Sequence, residues 1–267
     1  MKKLPLLLCL LVLLACNNSN NDSATQEQAY QALPVDRVAI LKDFNTWYTY
    51  TYRNICLSQD FIGLDTDSAR IDKNGFLEQL SRGNLAAFKV GIQQGIPVYK
   101  LYDLGTGNND IKSTVEQLAG IELHHFRMEG SELPAFHFTD LAGKNYTAAS
   151  LRGSIVVVKC WFIHCVACVQ EFPDCYNLVN EYSNRKDVVF ISLASDHQKD
   201  LQTFLSNKIF NYAVIPEMDN YMANKLRISQ YPTHILVNRE GKIIKVTNSI
   251  KEIAPFLKKE TGQKNKS

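Results

Sequence analysis

The chain has 267 residues, of which 45% are hydrophobic, 21% charged and 10% aromatic. That is the composition of a folded protein with room for one large or two small domains, and it excludes a disordered tail, a collagen-like chain or a coiled coil. The formal charge is +2, and setting aside Lys2 and Lys3, which fall in a segment expected to be removed, leaves 27 basic against 27 acidic residues; a neutral chain excludes nucleic acid as the expected partner.

The first elements are processing signals. Two lysines precede a twelve-residue apolar run, Leu4 to Ala15, which is too short to span a membrane, where roughly 20 apolar residues are needed. The run ends Leu13-Leu14-Ala15-Cys16, which resembles the lipobox of bacterial lipoproteins. This predicts a signal peptide over 1–15 and a lipid anchor on Cys16, with an incidental cysteine after an ordinary signal as the alternative. Acyl chains on Cys16 would supply the two signals that stable anchoring needs. Residues 16–35, rich in Asn, Ser, Gln and Ala, read as a flexible linker.

Residues 36–128 read as a small α+β domain with no recognised motif. The alternating aromatic run Trp47-Tyr-Thr-Tyr-Thr-Tyr52 reads as a strand whose aromatics pack in a sheet. A helix is expected over 73–80, and a hairpin pairs 85–90 with 98–104 around Gly91 and Gly95. Asp65-Thr-Asp67 has the start of a calcium loop, but Arg70 and Phe76 stand where the central Gly and terminal Glu belong, so no site is expected. His124-His125 lacks the companions a metal site needs.

Residues 129–262 alternate strand and helix, with a polar tail over 263–267. An apolar, β-branched run over 155–161 reads as a buried strand, and Val169, Phe172, Tyr176, Val179 and Tyr182 recur at helical spacing after it, with a kink at Pro173. Further strands are expected over 188–193, 231–238 and 242–246, and helices over 200–207, 220–226 and 250–259. The order suggests a mixed sheet covered by helices.

Cys165 and Cys168 fall at the first strand-to-helix junction. There the unpaired amides and positive dipole end of the helix favour a thiolate on Cys165, while Cys168, one turn in, is placed to attack a mixed disulfide. Cys56, Cys160 and Cys175 read as packed thiols, with a Cys160–Cys175 disulfide as the minor alternative. Glu171 shares a helix face with Cys168. Desolvation beside thiols would raise its pKa and let it exchange protons with Cys168; the alternative is a surface glutamate.

Several motifs then occur in order: Leu133-Pro-Ala-Phe-His-Phe-Thr-Asp-Leu-Ala-Gly-Lys144, Ser150-Leu-Arg-Gly153, Trp161, Cys165-x-x-Cys168-x-x-Glu171-x-Pro173, and Tyr231-Pro232-Thr233 before Asn238-Arg-Glu-Gly-Lys242. Over about half the chain this resembles the TlpA/ResA-like thiol-disulfide oxidoreductases of the thioredoxin-like superfamily. The resemblance implies an α/β thioredoxin-like fold, a mixed central sheet flanked by helices, preceded here by the small α+β domain. It implies that Cys165 attacks, Cys168 resolves, Glu171 is a buried carboxylate beside them, and Trp161, Tyr231 and Pro232 line the substrate groove, with a cis peptide before Pro232. It also implies no cofactor beyond the Cys165–Cys168 disulfide and no metal. The implied partners are exported thiol or disulfide proteins, including apocytochromes, and a membrane thiol reductase as electron donor. The implied location is the cell envelope, lipid-anchored and facing the periplasm.

Two positions depart from the family. Val166-Ala167 replace the usual proline-containing pair between the cysteines, and His164 stands where Trp, Thr or Ser is common; protonated, His164 would favour the Cys165 thiolate. His234, just after Pro232, reads as a packed strand histidine, with an approach to the cysteines as the alternative. Two other functions fit the same cysteines: a Cu(I)-binding module using Cys165, Cys168 and His164 or His234, and a thiol peroxidase. The peroxidase pattern Pro-x-x-x-Thr-x-x-Cys is missing, because Val158 and Phe162 precede Cys165 at those positions and Trp161 and Cys165 precede Cys168.

Overall fold

The computed structural model describes residues 30–262. The expected signal peptide, the Cys16 anchor, most of the linker and the polar tail lie outside the described residues.

The N-terminal half runs β1 (Gln31–Ala32), α1 (Arg37–Ile40), α2 (Phe44–Asn54), β2 (Ile62–Leu64), β3 (Arg70–Ile71), α3 (Lys73–Leu80), β4 (Leu85–Gln93), β5 (Ile96–Asp103) and α4 (Asn109–Met128). Its sheet has the order β1-β4-β5-β2-β3. The core contains Trp47, Phe76, Phe88, Leu101 and Ile111. The α3 helix and the β4–β5 hairpin stand where the sequence placed them. The aromatic run does not: Trp47 to Tyr52 lies within α2, not in a strand. Asp43 caps this helix by accepting from the Thr46 amide at 2.7 Å, and Phe44, Trp47 and Tyr50 pack against the core at helical spacing.

The C-terminal half runs β6 (His137–Thr139), β7 (Asn145–Thr147), α5 (Ala148–Leu151), β8 (Ile155–Trp161), α6 (Val166–Gln170), α7 (Phe172–Glu181), β9 (Val188–Ala194), α8 (Gln198–Leu205) and β10 (Ala213–Ile215). A π-helical turn (Tyr221–Lys225), β11 (Thr233–Val237), β12 (Ile243–Thr247) and α9 (Ile250–Glu260) complete it. The sheet order is β10-β9-β8-β11-β12. Strands β8, β9 and β10 are mutually parallel, while β11 is antiparallel to both β8 and β12.

Every residue of β8 is buried, as expected for a central strand covered on both faces. Alternation sends Val156, Val158 and Cys160 to one core and Ile155 and Val157, with Cys175 of α7, to the other. Cys160 and Cys175 therefore lie on opposite faces of the sheet, both free and buried, and the minor alternative of a disulfide between them is overturned. Burial pushes their thiols up to about 12 and about 11.

The halves are in contact. Ile243 of β12 exchanges backbone hydrogen bonds with the segment after α4, accepting from Gly130 at 2.7 Å and donating to Ser131 at 2.8 Å. The Ser58 hydroxyl donates to Glu252 in the first turn of α9 at 2.6 Å.

Candidate active site

Strand β8 ends at Trp161, and the loop 162–164 carries the chain into α6. That loop is pinned by Asp196, beyond the end of β9, whose carboxylate accepts from the Ile163 amide at 2.8 Å. Cys165 then occupies the N-cap of α6, where its sulfur accepts from the Cys168 amide at 3.2 Å. A sulfur in that position sits where the free amides and the positive end of a helix concentrate, which favours negative charge on it.

Cys165 and Cys168 are joined in a disulfide. Cys165 is 7% exposed and Cys168 fully buried, so a solvent-borne reagent meets Cys165 first. Val166 beside the pair is 69% exposed, and His164 is exposed on the loop.

A single helix bent at Pro173 was expected after Cys165. Instead α6 ends at Gln170 and α7 begins at Phe172, with Glu171 at the break and Pro173 in the first turn of α7, where a missing N–H costs nothing. The buried stripe is Cys168, Phe172, Cys175, Leu178 and Tyr182: Phe172 and Tyr182 stand as expected, while Cys168, Cys175 and Leu178 take the places of Val169, Tyr176 and Val179.

Two site expectations need correction. Trp161 is not available to a substrate: it is completely buried, packed against Phe172, Phe204 and Phe210. Its place on β8 turns it into the helix-covered core. Glu171 does not have a raised pKa either. Burial pushes its carboxyl up, but hydrogen bonds and charge from His234 and Lys159 outweigh that and hold it at about 2. One carboxylate oxygen accepts from both Lys159 Nζ and His234 Nε2, each at 2.8 Å, and the other accepts from the Ile250 amide that opens α9, at 3.0 Å.

The peptide between Tyr231 and Pro232 is cis. Pro232 is buried and Tyr231 half-buried, with the Tyr231 ring edge-on to Phe162 and packed on the cluster that contains both cysteines. The loop is held by Asn248, whose Nδ2 donates to the Pro232 carbonyl at 2.8 Å and to Thr233 Oγ1 at 3.0 Å.

The sequence did not disclose Lys159, Asp196 or Asn248, and it read His234 as a packed residue, with an approach to the cysteines as the alternative. Lys159 alone carried a signal, a charged side chain inside the apolar run 155–161. Asp196 and Asn248 act from loops distant in sequence. Among the described residues no group of three or more His, Cys, Asp and Glu is arranged to hold a metal ion.

A five-stranded mixed sheet with a Cys-x-x-Cys disulfide at the N-terminus of a helix and a cis-proline loop packed beside it defines a thioredoxin-like domain. Residues 130–246 match the sequence model of the AhpC/TSA family, and this half of the chain has a thioredoxin-like fold. Thiol-disulfide oxidoreductase ResA of Bacillus subtilis is 27% identical over 118 residues, 44% of this chain and 66% of ResA, so the match spans just under two thirds of that relative. Thioredoxin-like protein YneN of the same organism is 24% identical over 138 residues, 51% of this chain and 78% of YneN. The thioredoxin domain of a thiol-disulfide oxidoreductase from Bacteroides vulgatus superposes with a TM-score of 0.45 at 22% identity, covering 49% of this chain and 96% of that one.

Proposed function

We propose that the protein is a membrane-anchored thiol-disulfide oxidoreductase that reduces disulfides of exported proteins through Cys165 and Cys168. The observation that carries this reading is the Cys165–Cys168 disulfide, with Cys165 capping α6 and Cys168 buried behind it. In the reduced protein the Cys165 thiolate attacks one sulfur of the substrate disulfide, forming a mixed disulfide and releasing the other sulfur as a thiolate that takes a proton from water. Cys168 then attacks Cys165, and its proton goes to the departing substrate sulfur, so one substrate disulfide becomes two thiols while the pair becomes a disulfide. A dithiol donor on the membrane returns the pair to its reduced state, and apocytochromes awaiting haem are suitable substrates. Tyr231 and the backbone around Pro232 are the proposed substrate contacts, and Cys16 the proposed lipid anchor, facing the periplasm.

The test is an equilibrium redox titration of the protein in dithiothreitol or glutathione buffers, with Cys165→Ser and Cys168→Ser as controls. A single two-electron transition near or below about −270 mV, abolished by either substitution, supports a reductase. A transition near about −120 mV makes the protein an oxidant instead, and no transition from this pair overturns the reading.

A further inference from the structure

Lys159 and His234 are directly paired across the antiparallel β8–β11 ladder, so their side chains leave the same face of the sheet. Both side chains are completely buried, and both reach one oxygen of Glu171, itself 16% exposed. A buried cation in the centre of a sheet is costly unless paired and hydrogen-bonded. Here its partner Glu171 stands at the end of the helix that carries Cys168, three residues further along.

The donors around the carboxylate decide its chemistry. Lys159 Nζ and the Ile250 N–H have no acceptor to offer. His234 Nδ1 is buried without a hydrogen bond among the described residues. The proton of the neutral ring therefore belongs on Nε2, where it has a partner. All three groups facing Glu171 are then donors, and together they favour the ionised carboxylate over the protonated acid.

The other groups on this face do not change the balance. Cys168 comes from α6, and Cys175 from α7 is a neutral thiol raised to about 11. Tyr212, from the segment before β10, is neutral, with its ring in the core and its hydroxyl buried near Cys175. Asp174 of α7 and Lys251 of α9 pair with each other at the surface, 3.4 Å apart, and Glu252 of α9 is turned to Ser58.

We propose that Lys159 and His234 are positioning residues of the redox site: they hold Glu171 as a fixed carboxylate, which acts on the cysteines through its charge and does not carry their protons. The inference rests on the proposed exchange role of the Cys165–Cys168 pair. It fits the proton balance of that exchange, since the proton of Cys168 is consumed by the departing substrate sulfur and needs no resident base. A fixed negative charge beside Cys168 disfavours its thiolate, leaving Cys165, at the helix N-terminus, as the sulfur that ionises first.

The experiment follows the Glu171 side-chain carboxyl by 13C NMR from pH 4.5 to 8.5 in the oxidised and reduced protein, the resonance being assigned by its loss in Glu171→Gln. The expected result is no titration in either redox state. Lys159→Met and His234→Leu should each bring a titration into this range, and His234→Gln, which keeps a donor, should remove it again. In the reduced protein Glu171→Gln should move the thiol alkylation profile to lower pH. A Glu171 resonance that titrates in reduced wild type overturns the proposal even if neither the Lys159 nor the His234 variants fold, as does an alkylation profile unmoved by Glu171→Gln. Loss of the redox transition itself would instead count against the exchange reading, so the two failures are distinguishable.

Discussion

At the scale of the residue, two ion pairs in this protein look alike on paper and should differ in consequence. Lys251–Asp174 has side chains 75% and 41% exposed, whereas Lys159–Glu171 has side chains 0% and 16% exposed. Exposed pairs contribute about 0–1 kcal/mol; removing one partner of a buried pair costs about 3–5 kcal/mol, because it strands the other charge. Lys159→Met should therefore lower the denaturant midpoint strongly and Lys251→Met hardly at all, as measured by urea unfolding. The same burial sets the acid limb of stability. Burial pushes His234 and His125 down to about 4 from 6.5. The unfolded chain therefore binds more protons than the folded one between those values, and stability falls as pH drops through that range. Glu171, held at about 2 against 4.5, extends the loss below pH 4.5 by the same sign. Thermal unfolding followed from pH 7 to pH 4 should show this fall, and His125→Phe should flatten part of it.

At the scale of the element, the site is assembled from segments that are each simple and that only the fold brings together. Asn248, between β12 and α9, holds the loop that opens β11. Its removal leaves the Pro232 carbonyl and the buried Thr233 hydroxyl short of a donor, a cost of about 1–3 kcal/mol. Asn248→Ala should lower kcat/KM for a protein disulfide severalfold while leaving the potential of the Cys165–Cys168 pair in place; a stopped-flow assay and a redox titration separate the two. The sequence disclosed the cysteines and the Tyr231-Pro232 loop, since a strand-to-helix junction and a proline are marked locally. It did not disclose Asn248 or Asp196, whose side chains bond groups 15 or more residues away. It misread α2, because Trp47 to Tyr52 alternates aromatic and Thr residues like a strand. The signals that decide the matter are the Asp43 cap and the recurrence of Phe44, Trp47 and Tyr50 at three. It also missed β10, whose three residues are too short a run to show a period, and with it one edge of the central sheet.

At the scale of the whole molecule, the halves meet across charged groups rather than a purely apolar seam. Lys73 and Glu122 from the N-terminal half, Glu129 after α4, and Lys245 and Glu252 from the thioredoxin-like half influence one another. Lys245 donates to Glu129 at 2.9 Å and Ser58 to Glu252 at 2.6 Å. Glu122 is the group this arrangement serves least. Burial, reinforced by the Glu252 charge, pushes it up to about 7 against the pull of Lys73 and Lys245. The folded protein holds that proton more tightly than the unfolded chain does. The stability tied to the neutral form is fully present below pH 4.5 and is lost as pH rises through about 7. Glu122→Gln fixes the side chain in its neutral form, so the variant should match the wild type at pH 5 and exceed it at pH 8, by up to about 3 kcal/mol. Calorimetric Tm values for both proteins at the two pH values decide it. Equal Tm differences at pH 5 and pH 8 would mean that Glu122 does not titrate in this range, and that the charges of Glu252 and Lys245 do not act on it strongly.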